Sequence, residues 1–329
     1  MTNTSEPQDR IMDRTLLRSK FIKRFGSDPE TIRDIRDIEK IEQIDADERF
    51  PCQSPNEALM LASQAFPQAT AISFLPNGSV SDVPINWTYK EYQEEVYRAA
   101  NMFHSFGLRP DQSVIFLLPN VPQFLFGLWG AQLAGIAAPI NPYLEVEHIA
   151  SIAKSANAKI LVTLAPSQPG GEDLWNKAMK AKSIASDIQQ IIVIGDSQDD
   201  YSSSWDQATR AQPSDRLIFD RPISGTEIAS FFHTGGTTGA PKLAQHTHRR
   251  QVLNVCQMQI TGPRGKEKNE FADCDVILCT LPLFHVNAVF VTSLNAIVGA
   301  GQVVLAGPNG FRNPQLIHDF WHLVEKYKV

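Results

Sequence analysis

The feature that most constrains the fold is a series of short runs rich in Val, Ile and Leu, separated by stretches with helical spacing. The runs are TAISFL (70–75), SVIFLL (113–118), IAAPI (136–140), KILVT (159–163), QIIVIG (190–195), EIASFFH (227–233), DVILCT (275–280) and QVVLAG (302–307). Strands so nearly continuous in apolar residues are buried on both faces, and the helices between them supply the crossovers of a parallel sheet. Helices are expected over 56–66, 88–107, up to about 134, and over 145–156, 246–258, 287–298 and 313–327. Asn56 is the expected cap of the first. In the second, Thr88 caps the start, Glu91 stands three residues on as in a capping box, and Gly107 ends it. Two stretches read as loops, 166–172 and the Ser- and Asp-rich 196–215.

Composition excludes several classes. A chain of 329 residues that is 43% hydrophobic and 20% charged is neither disordered nor fibrous. The net charge of −6 gives no global attraction to nucleic acid or anionic lipid, so nucleic acid is not an expected partner. Cysteines 52, 256, 274 and 279 fit neither paired CxxC spacing nor a zinc ribbon, and read as buried thiols in a reducing compartment. The N-terminus lacks the apolar core of a signal peptide, and the apolar run over 121–142 is interrupted by Pro122, Gly127, Gly130 and Gly135. A cytoplasmic protein is expected.

Residues 1–51 are charge-rich. RTLLRSKFIKRF (14–25) alternates basic and apolar side chains. That pattern suits weak contact with an anionic membrane surface, or a solvated helix packed on its own domain, the reading preferred. Isoleucines at 32, 35, 38, 41 and 44 then form an amphipathic stripe suited to a docking helix.

The chemistry concentrates in FFHTGGTTGAPKLAQHTHRR (231–250). A loop between a buried parallel strand and a following helix lies at the carboxyl edge of the sheet, where such folds bind ligands. Gly235, Gly236 and Gly239 let a ligand approach the backbone, and consecutive N–H groups there form an anion nest. Thr234, Thr237 and Thr238 offer hydroxyls to phosphate or Mg2+, Pro241 stiffens the approach, and Lys242 supplies a point charge. The run reads as a polyphosphate cradle. It is not the P-loop of kinases and NTPases, because Leu243 stands where Ser or Thr would follow the lysine. His246 and His248 form an HxH pair, but on a helix such residues do not share a face, so no transition-metal site is expected. His233 beside the cradle is either a nucleotide-site residue or a core histidine.

TGGTTGAPK (234–242) resembles the phosphate loop of the adenylate-forming (AMP-binding) superfamily of acyl-CoA synthetases, luciferases and adenylation domains. His248, preceded by Thr247, stands where that family carries a histidine. LPLFHVNAV (281–289) resembles the family's aromatic-His segment beside the carboxylate pocket, and residues 87–163 follow its layout. The resemblance runs from about 56 to 329 and is closest to fatty or aryl acyl-CoA synthetases. It implies ATP-dependent conversion of a carboxylic acid to acyl-AMP and then to acyl-CoA, with ATP, Mg2+ and CoA taking part. Lys242 and His285 would be catalytic, residues Thr234, Gly235, Gly236, Thr237, Thr238, Gly239 and Lys242 would hold the phosphates, and Phe284, His285 and Asn287 would line the acyl pocket.

The resemblance also implies parts not found here: the family's Thr-Glu motif, its ribose-binding Asp and its C-terminal catalytic lysine. The chain therefore reads as a piece of a longer enzyme, inactive alone. The implied fold is a pair of similar α/β subdomains with parallel or mixed sheets, the second incomplete. Residues 1–51 would be a charged helical extension and 109–258 the first subdomain. Residues 52–108 and 259–329 would form the second, whose exposed sheet edge a homodimer would cover. Two alternatives stay open: an adenylation enzyme loading a carrier protein, and a non-catalytic phosphate-binding module.

Overall fold

The computed structural model describes residues 16–29, 32–197, 202–234, 242–261 and 276–329. In chain order the elements are α1 (Ile35–Glu42), α2 (Ala46–Arg49), α3 (Pro55–Ala65), β1 (Thr70–Phe74), β2 (Ile85–Thr88) and α4 (Tyr89–Ser105). Next come β3 (Ser113–Phe116), α5 (Pro122–Ala134), β4 (Ile136–Pro139), α6 (Val146–Ser155), β5 (Ala158–Leu164), α7 (Gly171–Ile184) and β6 (Gln190–Ile194). Then follow β7 (Ser202–Ser204), α8 (Trp205–Arg210), β8 (Ile228–Thr234), β9 (Lys242–Thr247), α9 (His248–Thr261) and β10 (Val276–Cys279). A π-helix (Asn287–Leu294), α10 (Asn295–Gly299), β11 (Gln302–Leu305) and α11 (Pro314–Tyr327) complete the chain.

Two sheets organise these elements, the mixed α/β class expected. The larger runs β7-β6-β5-β3-β4-β8-β9, parallel throughout except for antiparallel β9. The smaller runs β10-β11-β1-β2, parallel except for β2. One hydrophobic core reaches both, holding Val114 and Ile160 of the larger sheet together with Ile72 and Val303 of the smaller.

Helix α5 explains why the core is shared. Every residue of it except Gln123 is buried, as suits a helix with no polar face. Its glycines allow close approach. A Cβ on Gly130 would lie 2.8 Å from the Ala99 Cβ and 2.9 Å from the Ala100 nitrogen, so α4 and α5 touch through their backbones. One residue earlier, the Trp129 indole donates to the Tyr92 hydroxyl at 2.7 Å, and the Asn56 amide donates to the Trp129 carbonyl at 3.1 Å. Helix α4 starts with the full capping box expected at Thr88 and Glu91.

The amino-terminal segment is a strap on this core. Leu17 and Phe21 are buried, while Leu16 is exposed. Arg49 is only 1% exposed and forms a two-pronged pair with Asp28, both contacts 2.8 Å. Arg249 of α9 reaches back to Asp47 at 2.9 Å and to the Cys52 carbonyl at 3.0 Å.

Several expectations need correction. Ser54, not Asn56, caps α3, accepting from the Glu57 N–H at 3.0 Å, and Asn56 is instead spent inside on Trp129. The stretch 196–215 is not all loop, since β7 and α8 lie in it, anchored by buried Trp205. Its serines pair at the sheet edge, where little apolar burial is needed. The largest correction concerns the Gly/Thr loop. It does not join a strand to a helix, because Lys242–Thr247 forms β9, paired antiparallel along β8. Its two ends, Thr234 and Lys242, are paired in adjacent antiparallel strands, and α9 begins only at His248.

The contact at Gly130 gives a stability prediction. Gly130→Ala should destabilise the chain by about 1–3 kcal/mol, because overpacking there meets backbone rather than a movable side chain. Urea unfolding measures it; a stability equal to or above that of the parent would show that the two helices are free to separate.

Candidate active site

The site begins at the hairpin. Strand β8 is buried through Phe232 and emerges at Thr234, which is exposed and pairs with Lys242 of β9. Thr234 Oγ1 also donates to the Lys242 carbonyl at 3.4 Å. The two ends of the loop are thus held side by side by ladder pairing, and Lys242 is exposed beside them. Gly235, Gly236, Thr237, Thr238 and Gly239 lie outside the described residues, as does Pro241.

One residue back from Thr234, His233 turns toward the neighbouring strand. Its Nε2 accepts the Asn141 N–H at 3.0 Å, so the ring is neutral with its proton on Nδ1. Burial, with a smaller contribution from His285, holds its pKa below the usual imidazole range. The same ring stacks on Phe284, centroids 6.3 Å apart and planes 20° from parallel. This stack brings the aromatic-His segment of the smaller sheet against the cradle strand of the larger one. His285 itself is exposed, and its Nδ1 accepts the Asn287 N–H at 3.2 Å. Asn287 is exposed as well.

The aromatic-His segment is held from across the sheets by Asn120. Its amide donates to the Leu281 carbonyl at 2.9 Å and accepts the Leu283 N–H at 2.8 Å, while its own N–H reaches the Pro308 carbonyl at 3.0 Å. Asn120 and Asn141 escape the reading of motifs, since each works through backbone groups. A signal does exist: both lie within a few residues past the carboxyl ends of β3 and β4, the same edge that singled out the loop.

A cavity of about 640 Å3 opens along this edge, walled by Pro142, Tyr143, Gly170, Asp173, Pro308 and Asn309. A narrow recess joins it to Phe284, and the Arg312 guanidinium sits 3.6 Å from the Tyr143 ring centroid. The arrangement sets the neutral His233 ring against Phe284, which borders the recess, while Lys242 stands exposed at the start of β9. It suits an anion at the hairpin tip and an organic group beside Phe284.

His246 and His248 do not make a pair. His246 is on β9 and packs edge-on against Phe232 and Phe290, whereas His248 is the first residue of α9 and is fully buried. The argument from helical spacing therefore does not apply to them; burial of one ring and aromatic packing of the other separate them instead.

A family model of AMP-binding enzymes matches residues 61–329. The chain belongs to this family of AMP-binding enzymes. It is 45% identical over 309 residues to a marinolic acid–CoA ligase of Pseudoalteromonas, a match covering 94% of this chain and 46% of the relative. It is 29% identical over 275 residues to a 4-coumarate:CoA ligase of Petunia hybrida, covering 82% and 46%. The fold is similar to that of an anthranilate CoA ligase in complex with anthranoyl-AMP, with a TM-score of 0.71 and 18% identity over 87% of this chain and 50% of that one. The chain spans about half the length of the relatives it matches. Among the described residues, no helix is long and apolar enough to cross a membrane.

The buried histidine generates a pH prediction. Burial, then the nearby Arg221, depress the His248 pKa from 6.5 to about 4, with Glu227 opposing. Between those values the unfolded chain takes up the proton and the folded chain does not. Stability from this residue is therefore complete above about pH 6.5 and falls by on the order of 3 kcal/mol as pH drops toward 4. His233 and His246 shift in the same direction. In His248→Gln the slope of stability against pH over this window should be visibly shallower, and an unchanged slope would remove His248 as its source.

Proposed function

We propose that this chain is the amino-terminal part of an ATP-dependent acid–thiol ligase, activating a hydrophobic carboxylic acid of fatty or aryl type. The observation that carries the reading is the His233–Phe284 stack, which sets the ends of the phosphate hairpin beside an aromatic wall. A carboxylate oxygen would attack the α-phosphorus of MgATP, breaking the bond to the β-phosphate and releasing pyrophosphate. The thiol sulfur of CoA would then attack the acyl carbon and release AMP.

In this reading Lys242, Thr234 and the loop residues Gly235, Gly236, Thr237, Thr238 and Gly239 hold the β- and γ-phosphates. They stabilise the charge that grows on pyrophosphate as it leaves. Thr237 and Thr238 also offer hydroxyls to Mg2+. Phe284, His285 and Asn287 border the acyl group, and neutral His233 fixes the position of Phe284. The 640 Å3 cavity beside them gives room for an organic co-substrate. The similarity to relatives that act on marinolic and coumaric acids supports an acid with a large apolar body. We also propose the division at 51, 108 and 258 as one of subdomains, each built on one of the two sheets.

Two outcomes test the reading. In the full-length enzyme, Lys242→Ala should slow carboxylate-dependent adenylation on the order of 100- to 1,000-fold, as loss of one charge-stabilising donor does elsewhere. Thioester formation from supplied acyl-AMP should fall far less. Equal losses in the two half-reactions would sink the role given to Lys242. The 329-residue chain by itself should release no AMP when given carboxylate, ATP and CoA.

A further inference from the structure

A cavity of about 190 Å3 lies among α4, α5, α8 and the strand β2, and shares no lining residue with the cleft described above. Its apolar lining is aromatic: Trp87 of β2, Phe126 of α5 and Trp205 of α8. Phe126 and Trp205 are buried, and half-buried Trp87 meets Phe126 edge to face with centroids 5.5 Å apart. The polar lining carries four charges, two of each sign. Glu95 and Arg98 come from one face of α4, Asp206 and Arg210 from one face of α8.

These charges are poorly spent on one another. The Arg98 guanidinium comes no closer to the Glu95 carboxylate than 3.9 Å, too far for a hydrogen bond, although both side chains are about 70% buried. The Arg98 Nε is buried and, among the described residues, meets no acceptor. Burial raises the Glu95 pKa, Arg98 opposes the rise and Asp206 adds to it, so the two carboxylates share one neighbourhood. Surface pairs of this kind ordinarily stand over packed side chains. Here they stand over an aromatic-walled space. A water takes up ~30 Å3 of liquid, so the cavity has room for about six waters or for one small molecule.

The charges select the molecule. A simple anion would meet Glu95 and Asp206, and a simple cation would leave the buried Arg98 Nε without an acceptor. A molecule carrying both signs pairs all four groups. We propose that this cavity binds a small zwitterion of amino-acid type, its ammonium toward Glu95 and Asp206, its carboxylate toward Arg98 and Arg210, and its apolar side chain against Trp87 and Phe126. The ammonium also gains from the aromatic faces, and the guanidinium fork suits a carboxylate. None of these residues holds a phosphate or an acyl group in the acid–thiol reading, so the proposal stands apart from it.

Leucine is the probe. Isoamylamine and isocaproate, which keep its body and only one of its two charges, are the controls. Each is titrated into the chain while the indole N–H signals of Trp87 and Trp205 are followed by NMR. Leucine should shift both signals saturably, with a dissociation constant roughly tenfold or more below that of either control. Glu95→Gln and Arg98→Gln should each weaken leucine about tenfold or more while the rest of the spectrum stays as in the parent. If Glu95→Gln does not fold, Asp206→Asn, at an exposed position, carries the same expected loss. Isoamylamine binding as tightly as leucine would overturn the proposal in favour of a cation site, and isocaproate doing so would overturn it in favour of an anion site. Unchanged leucine affinity in the folded variants would overturn it by placing the binding elsewhere. Failure of leucine, alanine and phenylalanine alike to saturate either signal at on the order of 100 mM would overturn it outright.

Discussion

The backbone contact between α4 and α5 is the joint on which the rest of the molecule hangs. Because Gly130 has no side chain, α5 can lie directly on Ala99 and Ala100. Because α5 has no polar face, it must be covered on all sides. The larger sheet supplies one cover and α4 another, and α4 in turn reaches β1 and β2 of the smaller sheet. Tyr92 completes the arrangement by accepting the buried Trp129 indole N–H, and Asn56 adds a bond to the Trp129 carbonyl. Two sheets that share no strand are in this way fixed to one core.

That fixed relation is what builds the cleft. The carboxyl ends of β3, β4 and β8 bring Asn120, Asn141 and His233 to one edge. From there Asn120 reaches over to hold residues 281–283, and His233 stacks on Phe284. Neither contact forms within a single sheet. A shift of one sheet against the other would break both at once. The site is therefore positioned by the core beneath it rather than by the loops that carry its side chains.

Much of this was legible in the chain, and what was not shares one physical cause. Central strands such as Val114–Phe116 and Ile160–Val162 are buried on both faces, so their composition announces them. Edge strands do not have that constraint. KLAQHT of β9 and SSS of β7 carry polar side chains because one side meets solvent, and they read as loop or as the start of a helix. The run of Gly and Thr closing in Pro-Lys was legible as a motif, but the antiparallel pairing of Thr234 with Lys242 at its two ends was not. Asn120 and Asn141 were missed for another reason: the Asn120 side chain binds backbone groups far away in sequence, and Asn141 meets His233 through its backbone N–H, so neither leaves a periodic trace.

The hairpin setting changes the electrostatics expected of the cradle. In a strand-loop-helix arrangement the helix N-terminus adds its partial positive charge to an anion, an effect confined to the first turn. Here Lys242 is the first of the six residues of β9, so about 20 Å of extended chain separates it from the start of α9. The helix dipole is too distant to contribute. His233 is neutral, held so by burial and by the Asn141 N–H on its Nε2, so it adds no charge either. In the function proposed above, positive potential beside the paired ends Thr234 and Lys242 would therefore rest chiefly on Lys242. Because the net charge of the whole chain is negative, nothing remote compensates for that lysine. The dependence on one side chain that the proposed function implies follows from the antiparallel pairing that places Lys242 beside Thr234.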